Sequence, residues 1–178
     1  MIVRMDFVTG SDGSDELVDL VDESDRVIGQ VTRAAMRRDR LRHRAVFIAV
    51  TDGSGRLLVH RRSEHKDIWP GWCDIAVGGV VTAGEGYEEA ARRELAEEIG
   101  LTAVDLLTID DGVATPFDDD SVSLIGRCFQ IVHRGPFEFA DGEVDHAWWV
   151  DRDELETVMA ADRFLPDSLA LVWPRIRW

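Results

Sequence analysis

The chain has 178 residues, a mass of 20.0 kDa, and 45% hydrophobic and 31% charged residues, enough for one domain with a substantial core. Its net charge of −15 and isoelectric point near 4.6 exclude the broad basic face that a nucleic-acid or anionic-membrane partner requires. No run of about eighteen apolar residues spans a bilayer and no signal-peptide pattern is present. Cys73 and Cys128 lack metal-ligand spacing, so a reduced, cytoplasmic chain is expected.

Residues 1–15 end in Thr9-Gly-Ser-Asp-Gly-Ser-Asp15, a polar composition that predicts a loose arm ahead of one domain over 16–178. Residues 16–22 and 27–31 read as two strands joined by a turn, an N-terminal hairpin. Thr32 is placed to cap a short helix over 34–38. Residues 45–51 are almost wholly apolar and predict a central strand, with 56–62 returning as its antiparallel partner across Asp52-Gly-Ser-Gly55. Trp69-Pro-Gly-Trp72 is a rigid aromatic loop, either a satellite core or a surface for stacking a base. A short strand over 73–77 leads to a glycine-punctuated loop over 78–86. A helix is expected over 87–99, closed by Gly100 in the left-handed conformation. Beyond it, 103–110, 122–132 and 147–150 read as strands, with Asp118-Asp-Asp120 as a charged loop. Asp151 or Asp153 caps a helix to residue 161, and Pro166 opens a last helix over 167–173. Helices interleaved with strands and hairpins predict an α/β chain with a mixed sheet between helices.

The helix over 87–99 carries the chemistry. Ala90, Ala91, Leu95 and Ile99 form its apolar stripe, while Glu94, Glu97 and Glu98 crowd one flank. Like charges one turn apart destabilise a helix by a few tenths of a kcal/mol. A solvated face with ion pairs such as Arg93–Glu97 is the ordinary explanation, but it leaves three converging carboxylates without a matching cation. Hard divalent ions use such oxygens alongside waters and substrate phosphates.

Gly79, Glu85, Arg93, Glu94, Leu95, Glu97, Glu98, Gly100 and Leu101 stand at every defined position of the Nudix box. The chain therefore resembles the Nudix hydrolases. That resemblance implies an α/β/α sandwich and hydrolysis of a nucleoside or other organic diphosphate, with Mg²⁺ as cofactor and Mn²⁺ as substitute. It implies that Glu94, Glu97, Glu98 and the Gly79 carbonyl hold the metal, with Glu94 as a candidate base and Glu98 as the indispensable ligand. Arg93 would orient the carboxylates. Glu143, before the strand ending in Trp148-Trp149, is a further catalytic candidate, with a plain Asp-Gly-Glu turn as the alternative. Arg61 and Arg62 are substrate-binding candidates, although strand alternation lets only one of them reach a diphosphate. The partner would be a small diphosphate substrate, acting on a monomer or homodimer, with Trp148, Trp149, Trp173 and Trp178 fit for a core or a dimer face.

Leu41-Arg-His-Arg-Ala-Val-Phe47, Leu57-Leu-Val-His-Arg-Arg62 and Trp69-Pro-Gly71 also resemble the branch containing isopentenyl-diphosphate isomerase. That isomerase requires a cysteine and a histidine flanking the box glycine, where this chain has Gly78 and Val80. A hydrolase on the isomerase's scaffold is therefore expected, with an isomerase or a non-catalytic nucleotide-binding sensor as alternatives. The basic run Arg33, Arg37, Arg38, Arg40, Arg42 and Arg44 could bind phosphate or pair with the acidic surface.

Overall fold

A computed structural model describes residues 15–139 and 142–178; the arm expected over 1–15 therefore lies outside the described residues except for Asp15. Strands β1 (Leu17–Val21) and β2 (Val27–Thr32) form the N-terminal hairpin. Its turn is tied by Asp22, whose carboxylate accepts from the Ser24 and Arg26 backbone N–H groups. Thr32 caps α1 (Arg33–Arg38) by accepting from the Ala35 N–H at 3.2 Å.

The sheet is organised on β3 (His43–Thr51). One edge of β3 pairs in parallel with β9 (Ser123–Val132) over its full length, and the other pairs antiparallel with β6 (Val77–Val80). Alternation then assigns its residues to two cores. Ala45, Phe47 and Ala49 face the core that includes Leu155 of α3 (Arg152–Ala161) and Leu171 of α4 (Pro166–Leu171). Val46, Ile48 and Val50 face Ala90, Ala91, Leu95 and Ile99 of α2 (Tyr87–Ile99). A strand covered on both faces must be apolar throughout, which explains its composition. The result is a mixed sheet between helices, the expected α/β architecture. Leu95 is fully buried, and truncating such a leucine to Ala costs about 2–5 kcal/mol.

Helix α2 has the expected bounds and ends at Gly100 with φ 75°. Helix α3 starts on a capping box between Asp151 and Glu154. Three expectations change. The strand expected over 73–77 is split into β5 (Cys73–Asp74) and β6, and β6 takes Gly78 and Gly79 out of the expected loop. The strand β4 (Arg56–Arg62) does turn back from β3, but the two pair only at Thr51–Leu57. From there β4 leaves β3 and pairs along β10 (Val144–Asp151). The gap is filled by β5 (Cys73–Asp74) on β4 and β6 on β3, and this splay opens the cleft described below. Residues 103–110 contribute only the two-residue β7 (Leu107–Thr108). An unanticipated β8 (Thr115–Asp118) pairs among the described residues with β9 alone, an edge position that tolerates Pro116.

Candidate active site

The cleft, about 610 Å³, lies between α2, β6, the start of β3, the end of β4 and α4. Because the apolar stripe of α2 is seated on the sheet, its acidic flank is turned to this cleft: Glu94, Glu97 and Glu98 all line it. Gly78 and Gly79 let the backbone pass close by. A Cβ on Gly78 would collide with the Val46 carbonyl oxygen, and one on Gly79 would stand 2.5 Å from Glu94 Oε1.

Arg93 ties the acidic residues together. Its Nε and Nη2 donate to the two oxygens of Glu85 at 3.0 Å each, a bidentate fork, and Nη2 also donates to the Val80 carbonyl at 3.1 Å. Its Nη1 donates to Glu94 Oε1 at 2.8 Å and to Glu97 Oε2 at 3.0 Å. Glu85 is further fixed by the Thr82 N–H at 3.0 Å, so it serves the loop rather than the cleft. Burial alone would raise the Glu85 pKa, but Arg93 and Thr82 hold it below the usual value.

Glu98 has no hydrogen bond or ion pair among the described residues, although its side chain is buried. Burial first, then the neighbouring Glu94, pushes its carboxyl well above the usual range, with Lys66 opposing. Burial also raises Glu94, partly offset by Arg93. Buried carboxylates of like charge are costly unless a cation joins them. Among the described residues no three Asp, Glu, His or Cys side chains are already drawn into a metal cage. The donor set nonetheless suits a hard cation. Glu98 faces the cleft without a hydrogen bond or ion pair among the described residues, Arg93 aims Glu94 and Glu97 from one side, and Gly79 leaves room at the Glu94 oxygen.

The opposite wall is basic. Arg62 lines the cleft, donates to the Ile68 carbonyl at 3.2 Å, and has a buried Nε without a hydrogen-bond partner among the described residues. Arg61 points to the other side of β4, to the Gly71 carbonyl and Asp162, and does not line the cleft. Of the two candidates, Arg62 is therefore the one placed in the cleft, while Arg61 braces the Trp69–Trp72 loop. Lys66 is ion-paired with Glu143, and both line the cleft. The first residue of the Asp141-Gly-Glu143 turn lies outside the described residues.

The basic run after Thr32 divides. Arg38, Arg40, Arg42 and Arg44 pair with Asp39, Asp118, Glu23 and Asp25, whereas Arg33 and Arg37 line the cleft. In the aromatic loop, Trp69 packs on the core and also lines the cleft, while Trp72 stacks on it at 6.2 Å.

Besides Lys66, sequence reasoning missed three buried cleft residues. His43 is buried with Nδ1 2.9 Å from the Leu41 carbonyl, and burial lowers its pKa to about 4, leaving it neutral. Asp74 and Asp167 are buried carboxyls in the same cleft. Burial, then Asp74, raises Asp167 to about 7, and burial raises Asp74 as well. No local spacing marks these residues, because the strands and helix that bring them together are remote in sequence. Cys73 is fully buried and does not line the cleft, so it cannot stand in for an isomerase's thiol.

The NUDIX domain profile matches residues 41–168. An uncharacterized Nudix hydrolase of Yersinia pestis is 43% identical over 154 residues, covering 86% of this chain and 82% of that protein. The uncharacterized Nudix hydrolase YfcD of Escherichia coli K12 is 42% identical over 156 residues, covering 88% and 84%. The crystal structure of DR0079 from Deinococcus radiodurans is similar with a TM-score of 0.76 and 30% identity, over 91% of this chain and 100% of that one. The NUDIX domain of Shewanella oneidensis NrtR, solved with ADP ribose, shares the fold with a TM-score of 0.57 at 16% identity, over 80% and 95%.

Proposed function

This chain belongs to the NUDIX family and is a Nudix hydrolase, and from that premise we propose that it cleaves the diphosphate linkage of a nucleoside or other organic diphosphate using Mg²⁺, with Mn²⁺ as substitute. The observation that carries the reading is Glu98: a buried carboxylate with no partner among the described residues, beside Glu94 and Glu97 and facing Arg62 and Lys66 across one cleft.

In this reading Glu94, Glu97, Glu98 and the Gly79 carbonyl hold the cation. When bound, it neutralises charge developing on the phosphate oxygens and acidifies water. Arg93 fixes Glu94 and Glu97 from behind, so the carboxylates need little reorganisation when substrate arrives. Glu94 orients the attacking water and accepts its proton. The water oxygen bonds to one phosphorus, the bridging oxygen departs with the other phosphate, and Arg62 and Lys66 balance the charge of the two product phosphates. Glu143 acts through Lys66, holding that ammonium in the cleft. The binding of ADP ribose by the NrtR domain is compatible with a nucleoside diphosphate group as one half of the substrate.

The test is product formation, resolved by ion-exchange chromatography, from a panel of nucleoside di- and triphosphates, dinucleoside polyphosphates, nucleotide sugars, NADH and coenzyme A. Each is assayed with Mg²⁺, Mn²⁺ or EDTA, and pyrophosphatase is added where the product is a diphosphate. Metal-dependent product formation from at least one member is the expected result. Silence across the panel, with divalent metal bound, would refute the hydrolytic role.

A further inference from the structure

The cleft continues past the basic wall. A second cavity, about 800 Å³, adjoins it, and the two share Arg37, Arg62, Lys66 and Trp69 in their linings. In a chain of net charge −15, this second lobe is lined by five Arg and Lys side chains against two carboxylates. Three of the five are already committed: Arg33 to Glu16, Arg38 to Asp39 and Lys66 to Glu143. Arg37 and Arg62 are not. Neither has an ion pair among the described residues, and the Nε of Arg62 is buried without a hydrogen-bond partner among them.

Collecting two guanidiniums at such a junction is costly unless an anion joins them. Burial, then Arg33 and Arg62, lower the Arg37 pKa to about 10, with Asp167 and Asp67 opposing. Two guanidiniums that line the same junction without an ion pair among the described residues offer N–H donors that match the oxygens of a phosphate or carboxylate. Trp69 lines both cavities with a left-handed φ of 50°, a conformation rare for a bulky residue and found where the surroundings fix a functional position.

The hydrolytic reading draws Arg62 and Lys66, at the junction of the two cavities, to the diphosphate and gives Arg37 and the rest of this lobe no role. We propose that the lobe receives a second oxyanion, a phosphomonoester or a carboxylate, carried by the far half of the substrate and gripped by Arg37 with Arg62. This inference rests on the hydrolytic reading and narrows it: the enzyme selects diphosphates whose X group is itself anionic.

The test compares matched pairs that differ only in that remote group. Coenzyme A against its dephospho form and NADPH against NADH probe a phosphomonoester; UDP-glucuronate against UDP-glucose probes a carboxylate. Dissociation constants are measured by calorimetry on the full chain with Ca²⁺, for wild type, Arg37→Gln and Arg37→Lys. In at least one pair the more anionic member should bind roughly ten- to hundredfold tighter, the range of a charge-assisted hydrogen bond. Arg37→Gln should collapse that ratio toward one and Arg37→Lys restore part of it. A merely structural role for Arg37 would weaken both members alike and leave the ratio intact. Ratios near one in every pair, no binding of any anionic member, or a ratio that survives Arg37→Gln would overturn the inference. A chain that discriminates within a pair yet hydrolyses nothing would lose the hydrolytic reading and keep this one; equal hydrolysis of both members would do the reverse.

Discussion

Replacing Arg93 with Met removes the group on which the acidic side of the cleft is built. Two of its partners are poorly solvated: the side chains of Glu85 and Glu94 are 12% and 9% exposed, while Arg93 itself is 28% exposed. Stripping the cation from a buried pair costs about 3–5 kcal/mol, and the partial exposure of Arg93 places this case near 3. Glu97 is 56% exposed, and its pair adds no more than about 0.5 kcal/mol. For a domain of this size, a loss of about 3 kcal/mol lowers the melting temperature by roughly 10 °C. The pH dependence has a definite sign. Arg93 and Thr82 depress the Glu85 pKa in the folded state, so their stabilisation is present above the unfolded value of 4.5 and lost as pH falls through the folded one. The deficit of Arg93→Met should therefore be largest at neutral pH and shrink in acid, where Glu85 and Glu94 can take protons. Arg93→Lys keeps the charge but loses the fork, and should fall between the two. Urea unfolding of the three proteins at neutral pH and near the carboxylate range measures this. A deficit below about 1 kcal/mol at neutral pH, as for an exposed pair, or one that grows in acid, would refute the reasoning.

Asp167 makes an opposite prediction. Its folded pKa, about 7, lies above the ordinary 3.8, so its contribution is full below 3.8 and is lost as pH rises through 7. With Asp74, Asp119 and Arg62 acting on it, wild type should lose up to roughly 4 kcal/mol relative to Asp167→Asn between acid and pH 8; parallel stability profiles would contradict this. Gly79→Ala and Gly78→Ala should separate chemistry from folding. At Gly79 the added methyl meets the movable end of Glu94, so turnover should fall by about a hundredfold with little change in stability. At Gly78 it meets Val46 backbone from a φ of 152°, so the fold itself should weaken; equal melting temperatures for both variants would count against that distinction.

What could be read directly was what is local. The bounds of α2 followed from the apolar stripe and Gly100, and the spacing of Glu94, Glu97 and Glu98 placed all three on the flank that meets the cleft. Thr32 and Asp151 announced their helices because a cap acts on residues two or three positions away. Partner choice among strands was less legible. The tight turn at Asp52 implied a β3–β4 hairpin, yet β10, some ninety residues on, takes the whole of β4. Alternation showed that Arg61 and Arg62 part ways, but only the pairing of β4 with β5 and β10 decides which of them enters the cleft. Asp74, Asp167 and His43 draw their meaning from burial, which no short stretch of sequence records.

The account stands most directly on Glu98. The decisive measurement is metal-dependent turnover of the best diphosphate substrate by wild type and Glu98→Gln, with Mg²⁺ affinity determined on both proteins. Substituting a group behind a metal ligand already costs about 10–100-fold, so loss of the ligand itself should lower turnover by roughly a hundredfold or more and weaken Mg²⁺ binding. Turnover that persists in EDTA, or a Glu98→Gln protein with near wild-type activity and metal affinity, would contradict it.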